Sequence, residues 1–175
     1  MKSVISTNTA QLETVEASSD VHEQLITLLQ HHNATFRVME HPPEGQTELA
    51  SLLRGHSLSQ AAKSLVLMVK QGKRVSRYFL CVVPGDYRVD MAMVKRLVSG
   101  TYAALAPANH AERLTGCTMG AVPPVSLHPD LELLVDPKLL ENQEIVFNSG
   151  RLDRSIFLAR DCYVRIFKPW VSRIT

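Results

Sequence analysis

The sequence predicts an α+β fold: a single domain in which a mixed, curled, barrel-like β-sheet is surrounded by helices. Segments with strand character outnumber helical ones, and the two do not alternate as they would in βαβ units. Apolar residues make up 45% of the 175-residue chain, enough for one sizeable core, and residues 20–175 form the predicted domain. Residues 1–19 are polar and lack periodicity, so we expect a flexible N-terminal tail.

Helices are predicted where a capping residue precedes apolar residues at helical spacing. Asp20 is a natural N-cap for the amphipathic segment that follows it, at residues 21–33. Thr47 is expected to cap a second, shorter helix, which Gly55 ends. The same signals predict further helices at residues 90–100, 107–116 and 161–169.

Strands are predicted where apolar residues alternate or form short runs bounded by glycine, proline or asparagine. "KQGK" (residues 70–73) links two such runs and predicts a hairpin. The predicted strands lie at residues 35–40, 64–70, 74–85, 102–106, 117–129, 131–136, 144–150 and 154–159.

One lysine stands inside an apolar run, "LSQAAKSLVLMVKQG" (residues 58–72). On a continuous helix Lys63 would lie on the polar face and would have no functional significance, but Leu67 and Met68 would then be exposed. A single helical turn followed by a buried strand accounts better for both apolar runs of the hairpin. It places Lys63 at a junction where its ammonium can face a cleft, since lysine is rarely buried unless paired or functional.

Composition and motifs exclude several classes of protein. The formal net charge is +2, so a polyanionic partner must be met by a local patch. No apolar run is long enough to cross a bilayer, no signal peptide is expected, and three dispersed cysteines fit a reducing cytoplasm. The chain lacks GxSxG, P-loop and HExxH motifs, and its seven histidines show no metal spacing, so we expect no metal and no cofactor.

Two loops could carry chemistry. "TGCTMGAVPP" (residues 115–124) could aim backbone N–H groups at a carbonyl oxygen, or could simply turn a strand at a bulge. "VFNSGRLDRSIFL" (residues 146–158) could line a site or form an ordinary hairpin with a polar tip. Cys117 follows a glycine and could act as a nucleophile near His128, although such cysteines are more often small buried apolar residues.

In order and spacing, four segments together resemble the YbaK-like family of aminoacyl-tRNA deacylases. This trans-editing family includes ProX-type domains and the insertion domain of bacterial prolyl-tRNA synthetases. The segments are "HPPEGQTELASLLRG", "AAKSLVLMVK", "GAVPP" and "FNSGRLDRSIFL", and the resemblance runs from about Val21 to about Lys168. It is most similar to the YeaK-type branch, which acts on seryl- or threonyl-tRNA. "PPVSLH" (residues 123–128) replaces the family's usual "SPFG".

The resemblance implies a role for the lysine. Lys63 would contact the 3′-terminal adenosine and the aminoacyl ester, while the loop of Gly120 and Ala121 would supply backbone donors to the ester carbonyl. An aminoacyl ester is already activated, so water, a stabilised oxyanion and positioning suffice for its hydrolysis. The residues that the resemblance assigns to substrate binding are Thr47, Gly116, Pro124, His128, Asn148, Gly150 and Asp153.

Three functions remain open from the sequence. The first is a cytoplasmic trans-editing hydrolase that removes a small amino acid, such as serine, threonine or alanine, from mischarged tRNA. Its partners would be the acceptor end of tRNA and an aminoacyl-tRNA synthetase, with no membrane involved. The second is a catalytically silent module of the same fold that binds tRNA or a synthetase. The third is a hydrolase that uses Cys117.

Overall fold

The structure, a computed structural model, describes residues 20–175, so the predicted tail lies outside the described residues. The described chain folds into five α-helices and eight strands. The helices are α1 (Val21–His31), α2 (Thr47–Arg54), α3 (Met91–Leu97), α4 (Ala108–Thr115) and α5 (Arg160–Phe167). The strands are β1 (Phe36–Glu40), β2 (Ala62–Gln71), β3 (Val75–Pro84), β4 (Tyr102–Leu105), β5 (Leu131–Val135), β6 (Glu144–Arg151), β7 (Arg154–Ala159) and β8 (Trp170–Val171).

The strands form two sheets. One is antiparallel with strand order β1-β7-β6, and the other has the order β4-β2-β3-β5-β8. In the larger sheet β2 pairs antiparallel with β3 and β4, whereas β3–β5 and β5–β8 are parallel pairs. A single parallel bridge between Ala61 and Val146 joins the sheets. The predicted mixed α+β domain is confirmed, with two sheets that do not close into a barrel.

Strand β2 is buried on both faces, and this explains its continuous apolar run. Ala62 and Val66 point into the main core, which lies between the sheets and is covered by α1 and α5. Leu67 and Val69 point the opposite way, into a second core against α3. Side chains alternate along a strand. Of the two interpretations of residues 58–72, the turn followed by a strand is therefore correct, and the turn is a 3₁₀ helix at Leu58–Gln60.

Two local predictions were wrong. Thr47 is not the N-cap of α2 but its first helical residue. Gln46 occupies the cap with extended backbone, and its N–H donates to Glu44 Oε1 at 2.9 Å. Residues 117–129 contain no strand, because left-handed Gly120 (φ 87°) and three prolines without N–H groups prevent regular pairing. Strand β8 is only two residues long and was not predicted.

Candidate active site

A cleft of about 440 Å³ opens beside the start of β2. Its walls come from α2 with the residues before it, from β2, from the end of β4 through the first turn of α4, from the Gly120 loop and from β6. Strand β4 covers β2 only from Leu67 to Lys70, so the preceding part of β2 is left to form the floor. Of the predicted site residues, Thr47, Lys63, Gly120 and Asn148 line this cleft.

Lys63 is the second residue of β2 and is half-buried in the cleft wall. Burial lowers the pKa of its ammonium, and Arg88 acts in the same direction, while Glu48 and Asp86 oppose the shift. In the part of the chain that the structure describes, the ammonium forms one hydrogen bond, from Nζ to the Gly85 carbonyl, which is long at 3.5 Å. The ammonium is thus partly desolvated and forms only a weak hydrogen bond within the protein, as expected for a group that binds a ligand.

Gly120 lies in direct contact with the backbone of Gly45. A Cβ at Gly120 would lie 2.8 Å from Gly45 Cα and 3.0 Å from Gly45 O, and the φ of +87° is itself one that side chains rarely allow. The Gly120 N–H forms no hydrogen bond with the described part of the chain, whereas the Ala121 N–H donates to Thr118 O at 3.0 Å. Of these two predicted backbone donors, Gly120 is therefore the available one.

Asn148 fastens the two segments that meet at this glycine contact. Its Nδ2 donates to Glu44 O at 2.8 Å and to Gly120 O at 2.9 Å. Its Oδ1 accepts from Ser155 Oγ at 3.0 Å and from Arg54 Nη1 at 3.3 Å. With both ends of the amide occupied and only 8% of the residue exposed, Asn148 holds the cleft in shape.

Arg54 is a buried functional candidate that sequence analysis missed. Its guanidinium contacts neutral groups, since Nη1 reaches Ser155 Oγ at 3.1 Å as well as Asn148, and Nε donates to His56 Nε2 at 2.9 Å. Burial lowers the pKa of Arg54 to about 10. Burial lowers the pKa of His56 too, with Arg54 and Arg37 acting in the same direction and a hydrogen bond to the Ser57 backbone opposing it. In the sequence Arg54 is an ordinary basic residue in a last helical turn, so no signal marked it.

Three predicted residues around the Gly120 loop lie outside the lining of the cleft. Gly116 ends α4 in a left-handed conformation (φ 70°). The Pro124 carbonyl accepts a hydrogen bond from Tyr163 Oη at 2.5 Å, and His128 Nδ1 accepts one from the Asp130 N–H at 3.0 Å. Their assignment to substrate binding stays a prediction.

Two more predicted residues belong to the β6–β7 hairpin and also lie outside the lining. The Gly150 N–H donates to Ala121 O at 2.8 Å, which ties the hairpin to the Gly120 loop. Asp153 forms ion pairs with Arg151 and Arg154, both at 3.2 Å. Their contact with substrate stays a prediction as well.

Cys117 is buried away from the cleft lining. Burial raises the pKa of its thiol to about 11, with Asp20 acting in the same direction, and Sγ lies 3.4 Å from Thr115 O. A nucleophilic cysteine needs a lowered pKa and exposure, so these surroundings favour a structural thiol.

Within residues 20–175, no three histidine, cysteine or carboxylate side chains are placed to hold a metal ion, and the expected lack of a metal stays a prediction. None of the helices in that range combines the length and the apolar character needed to cross a bilayer.

The fold and the cleft define a known class of protein. Residues 41–166 match the model of the aminoacyl-tRNA editing domain family, and the chain belongs to that family. The multifunctional Ser/Thr-tRNA deacylase ProXp-y of Escherichia coli (strain K12) is 41% identical over 152 residues, which cover 86% of this chain and 90% of that protein. The predicted family and the predicted editing function are confirmed.

Solved structures share the fold. The hypothetical protein APE2540 matches with a TM-score of 0.77 at 26% identity, covering 86% of this chain and 98% of that one. A candidate trans-editing enzyme for prolyl-tRNA synthetase matches with a TM-score of 0.75 at 24% identity, covering 89% and 96%. These matches extend over nearly the whole of the neighbouring chains, so the two-sheet domain is the complete folded unit of those structures.

Proposed function

We propose that this protein hydrolyses the ester that joins serine or threonine to a mischarged tRNA. The observation that carries the proposal is the meeting of Lys63 and Gly120 in one small cleft, where the ammonium has only a long hydrogen bond to Gly85 and the Gly120 N–H has no partner among residues 20–175. The resemblance to the Ser/Thr-tRNA deacylase of Escherichia coli supports the choice of amino acid.

In this mechanism water is the nucleophile. The Lys63 ammonium and the Gly120 N–H stabilise the negative charge that develops on the ester oxygen, and both act best in a partly dry cleft. The 2′-hydroxyl of the terminal ribose orients the water. Arg54 and Asn148 keep the Gly120 loop in place, so their contribution is geometric. No acyl-enzyme is required, in agreement with the neutral, buried thiol of Cys117.

The cleft favours a small amino acid. Its lining includes Ala61, Ala62, Ala106 and Ala111, which give it short apolar walls. Ser64 also lines the cleft, and its hydroxyl oxygen is buried without a hydrogen-bond partner among residues 20–175. We infer that the side-chain hydroxyl of a serine or threonine substrate pairs with Ser64, which would lose no existing hydrogen bond.

A panel of tRNAs charged with serine, threonine, alanine, cysteine or proline tests the proposal. We expect the fastest deacylation with serine and threonine, and a loss of activity in Lys63→Ala. A wild-type protein that binds these tRNAs but hydrolyses none would instead be a silent binding module. Docking of a synthetase and a cytoplasmic location are part of the proposal. Co-purification with tagged synthetases tests the first, and imaging of the tagged protein tests the second.

A further inference from the structure

The positive and negative side chains that line the cleft differ in number, and they differ in how many contacts they make within the protein. Two are cationic, Lys63 and Arg54, and Glu48 supplies the carboxylate among the lining residues. Glu48 lies in the first turn of α2 and is exposed on the cleft side. A substrate that enters the cleft therefore meets two positive charges and one negative charge.

Glu48 is free to bind a ligand. Within the described residues no lysine, arginine or histidine nitrogen lies within 4.0 Å of its carboxylate, and no hydrogen bond is formed by its side chain. It is nevertheless close enough to Lys63 to raise the pKa of that ammonium. The carboxylate thus lies near the proposed catalytic lysine without being neutralised by it.

The chemistry of an aminoacyl ester supplies a partner for this carboxylate. Every aminoacyl-tRNA carries an α-ammonium next to the ester carbonyl, and a cationic cleft would repel it unless an anion were at hand. We propose that Glu48 binds the α-ammonium of the aminoacyl ester, an inference that rests on the proposed function. An ester whose α-nitrogen is acylated, as in peptidyl-tRNA, cannot form this ion pair and is not a good substrate.

The test compares seryl-tRNA with glyceroyl-tRNA, the ester of glyceric acid, in which a hydroxyl of similar size replaces the α-ammonium. Each enzymatic kcat/KM is divided by the uncatalysed hydrolysis rate of the same ester, because the two esters differ in reactivity. The wild-type protein is expected to prefer seryl-tRNA by roughly 10-fold, the effect of one exposed charge-assisted contact. Glu48→Gln is expected to lower the normalised kcat/KM for seryl-tRNA by about 10-fold and to leave the normalised kcat/KM for glyceroyl-tRNA unchanged. Glu48→Asp keeps the charge and retains part of the preference.

Glu23→Gln is the matched control, because Glu23 is also an exposed glutamate in the first turn of a helix and lies outside the cleft. It should change neither substrate. A wild-type protein without a preference, or a Glu48→Gln variant that loses both activities by the same factor, would overturn the inference.

Binding of non-hydrolysable 3′-amide analogues of seryl- and glyceroyl-adenosine separates this inference from the proposed function. If the protein hydrolyses no ester, the proposed function fails. The inference then stands only when the wild type binds the seryl analogue about 10-fold more tightly and Glu48→Gln abolishes the difference. Equal binding of the two analogues by the wild type would overturn it.

Discussion

Replacing Gly120 by alanine should destabilise the protein through two separable effects. The left-handed conformation at φ +87° costs a residue with a Cβ about 1.5 kcal/mol. The added carbon would also lie 2.8 Å from Gly45 Cα, so one backbone must move, and such overpacking costs roughly 1–3 kcal/mol. The sum, about 3 kcal/mol, corresponds to a fall in Tm of roughly 6–12 °C for a domain of this size.

Gly72→Ala isolates the conformational part of this cost. Gly72 has a φ of +73° in the β2–β3 turn, and a Cβ there would meet nothing within 4 Å. Its Tm should fall by only roughly 3–6 °C. Thermal melts give both values, and single-turnover deacylation should be slowed in Gly120→Ala but not in Gly72→Ala. Equal Tm values for the two variants would refute the steric argument, and a wild-type rate in Gly120→Ala would remove the loop from the mechanism.

Four further outcomes are expected. Lys63→Ala should lower the deacylation rate by ~100-fold or more while the Tm stays close to wild type; full activity would exclude the lysine from catalysis. Cys117→Ser should keep substantial activity, and an acyl group trapped on Cys117 would contradict the water mechanism. Asn148→Ala leaves the Glu44 and Gly120 carbonyls without their donor and removes one of the three hydrogen bonds of Arg54, and urea unfolding should show a loss of about 1–3 kcal/mol; an unchanged midpoint would refute the role of Asn148 in holding the cleft in shape. Because the pKa of His56 is lowered in the fold, the unfolded chain takes up this proton first as the pH falls below ~6.5, so stability is lost there. His56→Gln should reduce the drop in Tm between pH 7.5 and pH 5, and an undiminished drop would assign it to other groups.

Local sequence signals were sufficient for much of the fold. Asp20 caps α1 as predicted, its side chain accepting from the His22 N–H, and the hairpin of β2 and β3 follows from two apolar runs around a turn. Lys63 stood out because its charge interrupts such a run. In each case neighbouring residues within about ten positions carry the information.

The remainder depends on contacts between distant residues. Arg54 meets Asn148 across 94 positions, and the Asn148 amide reaches Glu44 across 104. Neither contact leaves a periodic or spacing pattern, so the hydrogen bonds by which Asn148 holds Glu44 and Gly120 together could not be predicted. The division into two sheets was missed for the same reason, because apolar alternation shows that a strand is buried but not which strand it pairs with.

The cleft has two parts that differ in their tolerance of amino-acid substitution. One is the rim where Gly45 and Gly120 are in contact, and the other is formed by walls lined with alanine. At the rim two main chains touch, and neither enlargement nor displacement of Gly120 is possible without a shift of Gly45. Ala106 and Ala108 also line the cleft and are only half-buried and exposed, respectively, so longer side chains can extend from these positions, whereas Ala111 is packed in the main core. We therefore expect a change of accepted amino acid to be most accessible through Ala106 and Ala108, which would reshape the proposed acyl pocket while the contact between Gly45 and Gly120 keeps its geometry.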